Sequence, residues 1–77
     1  MYPEHIQQLQ SARIDTANDL HDADARCREL RVDGPADEYA DALAASKTAR
    51  AAHDEAERAL AVALTAWRRE ADDEHRA

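Results

Sequence analysis

Apolar and small positions along the first half of the chain recur at steps of four and three. Tyr2, Ile6, Leu9, Arg13, Thr16, Leu20, Ala23, Cys27 and Leu30 follow that rhythm. Seven of the nine are apolar or small; Arg13 and Thr16 interrupt the middle. This is a heptad, and it predicts a helix with one coiled-coil-like face. Ile14 lies off the stripe and is free to face solvent or a second partner.

The second half carries two stripes. Ala42, Ala45, Ala49, Ala52, Ala56, Ala59, Ala63 and Ala66 alternate steps of three and four without exception. Small residues on a seam let helix backbones approach more closely than the usual ~8–10 Å. About 100° around the same helix runs Tyr39, Leu43, Ser46, Arg50, His53, Glu57, Leu60, Leu64 and Trp67. That stripe is apolar at both ends and polar in the middle.

The breakers sit between and before these patterns. Pro3 suits a first helical turn, where its missing N–H costs nothing, and Glu4 beside it favours the positive end of the dipole. Arg26, Arg28 and Arg31 crowd a C-terminal end, where cations are favoured. Gly34 is then expected to take the left-handed conformation that stops a helix. Pro35 is expected to start the next helix, with Asp37, Glu38 and Asp41 in its first two turns. The expected elements are helix 1 at about 3–31, a turn at 32–35, helix 2 at about 35–71, and a frayed acidic tail at 72–77.

The expected fold is therefore all-α: one domain over residues 1–77, an antiparallel two-helix hairpin, coiled-coil-like. Folding at the turn pairs residues whose numbers sum to roughly 67, which places Arg13 near Asp54 and Glu57. One hairpin has one interface, yet helix 2 offers two faces. The surplus face predicts a second copy and a dimeric four-helix bundle.

Composition strengthens that expectation. Of 34 apolar residues, 19 are alanine and none is Phe. At about 1.5–3 kcal/mol per buried large side chain, the remaining 15 set a modest ceiling. Chains of this size usually need a disulfide, a metal or a partner. Cys27 is alone, so no disulfide forms within the chain, and oligomerisation is the remaining stabiliser.

Charge narrows the partner. The net charge is −7, from 17 acidic residues against nine Arg and one Lys. Direct nucleic-acid binding needs a basic stripe and is not expected. Anionic membrane surfaces are disfavoured, and no apolar run approaches the ~20 residues of a membrane span. No secretory signal is visible, so a cytoplasmic protein with a free thiol is expected.

Candidate chemistry is sparse. His53 and Glu57 share a face at i and i+4, but the Glu-x-x-His pairs of a di-iron bundle are absent, and no metal or other cofactor is expected. Cys27 lies on the apolar face of helix 1 with no base beside it, so no catalytic residue is expected. The interface candidates are Ile14 on helix 1 and Leu43, Ala49, Ala52, Ala56, Leu60, Leu64 and Trp67 on helix 2. Trp67, near the open end of the hairpin, is the best single candidate for a partner contact. The expected function is a non-enzymatic, self-associating interaction module acting as a small adaptor or regulator, possessed of a homodimeric state and a further protein partner. The alternative is an acidic inhibitor that mimics nucleic acid, with Asp54, Glu55 and Glu57 among its carboxylates.

Overall fold

In the computed structural model, which describes residues 1–76 and side chains through Glu74, the chain is two helices, α1 (Glu4–Asp33) and α2 (Ala36–Arg76). They pack along their length, and there is no strand among the described residues. The molecule measures 63 × 17 × 14 Å. A helix rises about 1.5 Å per residue, so the 41 residues of α2 account for nearly the whole long axis.

Pro3 stands outside the first turn of α1. Its carbonyl accepts the amides of Ile6 (3.1 Å) and Gln7 (3.0 Å), and the Gln7 side chain donates to the carbonyl of Tyr2 at 2.8 Å. The Ile6 bond occupies a donor that a helix start leaves without a ladder partner, and the Gln7 amide begins the regular ladder.

The turn is tighter than the sequence predicts. α1 continues two residues past Arg31, and only Gly34 and Pro35 separate the helices. Gly34 is not left-handed: its φ is −94° and its ψ 156°. Pro35 is the cause, because the residue before a proline is pushed from the helical region to the extended one. Glycine is required for another reason. A Cβ at position 34 would meet Leu30 Cα and the Leu30 carbonyl oxygen at 2.8 Å. That close approach lets the Gly34 amide donate to the Leu30 carbonyl, also at 2.8 Å, closing the end of α1. The Pro35 carbonyl in turn accepts the Tyr39 amide at 3.0 Å, opening α2.

The short turn resets the register. Contacts across the hairpin join Tyr2 to Trp67, Thr16 to His53 and Asp24 to Ser46. The numbers of facing residues therefore sum to about 69 or 70, two or three more than expected. α2 also runs on to Arg76, through the segment expected to fray; Ala77 lies outside the described residues.

The face of α1 is the predicted heptad. Ile6 is fully buried; Leu9, Thr16, Leu20, Ala23, Cys27 and Leu30 are half-buried. The face of α2 is neither predicted stripe. It takes alternate members of each: Tyr39, Ser46, His53, Leu60 and Trp67 from one, Ala42, Ala49, Ala56 and Ala63 from the other. In heptad terms the first set occupies one core position and the alanines the second. The seam thus lies between the two stripes, roughly 50° from each. A seam through alanines alone would leave Leu60 and Trp67 in water. This one buries Leu60, half-buries Tyr39 and Trp67, and sets an alanine beside each, so the helices still approach closely.

Candidate interaction surfaces

The hairpin is a flat pair of helices, so its seam is flanked by two long grooves. Each groove is built by the residues next to the seam on both helices.

On the first flank, polar side chains cross between the helices. Ser46 donates to Asp24 Oδ1 at 2.5 Å, and Arg50 reaches Asp24 Oδ2 at 3.6 Å. At the centre, His53 Nδ1 lies 3.1 Å from Thr16 Oγ1, and His53 Nε2 lies 2.6 Å from Glu57 Oε1. The Thr16 hydroxyl also faces the carbonyls of Ala12 (2.9 Å) and Arg13 (3.0 Å). A carboxylate only accepts, so Nε2 carries the proton toward Glu57. The hydroxyl can then donate to Nδ1, or donate to a carbonyl and accept from a protonated Nδ1. Both arrangements satisfy every atom. Among the described residues, no buried side-chain nitrogen or oxygen lacks a partner. Arg13, Ile14, Ala17 and Asn18 complete this flank with His53 and Glu57, around an open groove of about 280 Å³. Arg13 makes no ion pair with Asp54 or Glu57; among the described residues Arg50 pairs with Asp24, and His53 hydrogen-bonds to Glu57.

The second flank has neither of these contacts. Its α2 side is the other half of the alanine stripe: Ala45, Ala52, Ala59 and Ala66, all exposed. Beyond them run Thr48, Glu55, Val62 and Arg69, also exposed. Grooves of about 400 Å³ and 460 Å³ open here, the first shared with Thr16 and Asp19 of α1.

The sequence-predicted interface residues divide accordingly. Ala49, Ala56, Leu60 and Trp67 lie in the seam against α1, with Leu60 only 7% exposed. Trp67 meets Tyr2 edge-on, ring centres 5.0 Å apart, at the open end of the hairpin. Leu64 is half-buried beside the seam. Leu43, Ala52 and Ile14 face solvent, Ile14 at 53% exposure. Val62, which belongs to neither stripe, is 65% exposed, three residues after Ala59 and four before Ala66.

Among the described residues, no helix is long and apolar enough to cross a membrane, and no three His, Cys, Asp or Glu side chains gather to hold a metal. Comparison with known protein families, curated proteins and solved structures finds no match.

Proposed function

We propose that the chain is a non-enzymatic interaction module, a helical hairpin that self-associates into a dimeric four-helix bundle and acts as a small adaptor or regulator. One observation carries this reading. A compact folded monomer of 8.6 kDa exposes about 4,700 Å². This chain exposes 6064 Å². Only Ile6, Ala42 and Leu60 are buried among the described apolar residues. The excess, about 1,400 Å² per chain, matches what each subunit of an obligate homodimer covers, since such interfaces bury about 2,000–5,000 Å² in total.

Sedimentation equilibrium of the full chain tests it. The expected species has twice the 8.6 kDa chain mass, and its helicity falls on dilution, because folding and association are coupled. A monomer that stays fully helical at micromolar concentration overturns the proposal.

A further inference from the structure

We propose that the second copy docks antiparallel on the unbridged flank of α2, with the symmetry axis beside Glu55 and Arg58. The inference rests on the self-association proposed above and specifies its face and direction.

Three observations select this face. First, the exposed area requires a cover, and the two flanks are unequal. Side chains already bridge one of them through Asp24–Ser46, Asp24–Arg50 and Thr16–His53. The other is bare. Second, its exposed residues form a seam of their own. Ala45, Thr48, Ala52, Glu55, Ala59 and Val62 continue in steps of three and four to Ala66 and Arg69. An antiparallel neighbour would set each alanine against a larger residue: Ala52 against the partner's Val62, and Ala66 against the partner's Thr48. Small against large is the packing that seats one helix in the groove of another.

Third, the charges select the direction. Glu55 and Arg58 line one groove with Ala59, Val62 and Ala66. Both are exposed, and neither takes part in an ion pair among the described residues. In a parallel dimer, Glu55 would face the partner's Glu55, and Arg58 the partner's Arg58. In the antiparallel arrangement, Glu55 lies against the partner's Ala59 and beside the partner's Arg58, and the axis repeats the pair. Opposed charges fix register, and like charges exclude the alternative.

Charge reversal tests this without disturbing the hairpin seam. Glu55→Arg leaves only cations at the axis, and Arg58→Glu leaves only anions. Each is expected to weaken dimerisation by roughly tenfold or more, because two symmetric pairs become repulsive. The double variant Glu55→Arg/Arg58→Glu restores the wild-type constant, and a mixture of the two single variants does so as heterodimer. Sedimentation velocity reads all four, with circular dichroism confirming that each remains helical. A wild-type dimer indifferent to both reversals overturns the proposed face while leaving self-association intact. Weakening in the single variants without rescue overturns the pairing. A monomeric wild type overturns both.

Discussion

Thr16 Oγ1 lies 3.1 Å from His53 Nδ1 at the middle of the hairpin, where a coiled coil would ordinarily place two hydrocarbons. The His53 side chain is only 16% exposed, and Glu57 holds its other nitrogen. A polar layer of this kind contributes less stability than an apolar one, but it ties one register of α2 to one register of α1. The contact separates two substitutions that resemble each other on paper. Thr16→Val removes the partner of Nδ1 and leaves the imidazole in the seam; it is expected to cost about 1–3 kcal/mol. His53→Leu removes the polar group itself, and the Thr16 hydroxyl keeps the Ala12 carbonyl. It is expected to be neutral or stabilising by about 1 kcal/mol. Urea unfolding of both variants at one chain concentration decides, and equal losses would contradict the bonding described.

Gly34 is held by crowding rather than by a positive φ. Gly34→Ala would place a Cβ 2.8 Å from Leu30 Cα, and backbone cannot swing aside as a side-chain tip can. The expected cost is about 1–3 kcal/mol, read as a lowered Tm. Had the glycine been left-handed, Asn would be a tolerable replacement. Here Gly34→Asn should be as damaging as Gly34→Ala.

Leucines that look alike in the sequence differ in the seam. Leu60 is 7% exposed and Leu43 is 39% exposed. Leu60→Ala is expected to cost about 2–5 kcal/mol and to leave the chain largely unfolded. Leu43→Ala should cost well under half as much, because much of its side chain is already in water. Thermal unfolding by circular dichroism ranks them, and the reverse order would show that the seam is misplaced.

Trp67 is the one tryptophan, so its fluorescence reports the open end of the hairpin alone. Tyr2 covers it edge-on. Tyr2→Ala should shift the emission to the red and cost about 0.5–1.5 kcal/mol beyond the lost area. Tyr2→Phe should keep both the spectrum and the stability, since among the described residues no hydrogen bond of the Tyr2 hydroxyl supports the pair.

Local physics made much of this fold legible in the chain. Helix formers, a heptad on α1 and Gly34-Pro35 between two runs determined two helices folded back on each other. Propensity and backbone chemistry act within a few residues, so a sequence displays them directly. Which of the interface candidates α1 would cover was not legible: Ala52 and Ile14 face solvent, and Ala49, Ala56 and Leu60 lie against α1.

Tertiary structure decided which face of α2 meets α1. Two stripes on one helix compete for a single neighbour, and the outcome depends on what α1 presents at each level. Tyr2 covers Trp67, while Thr16 and Asp24 give His53 and Ser46 their bonds. The seam that satisfies all of them runs between the stripes and turns half of the alanines outward. The register follows from the turn itself, where Pro35 holds Gly34 extended and Gly34 approaches Leu30 closely. The sequence by itself determined that α2 has more apolar face than one neighbour can cover. Only the packed hairpin decided which part of that face is left over, since burial is a property of pairs of surfaces.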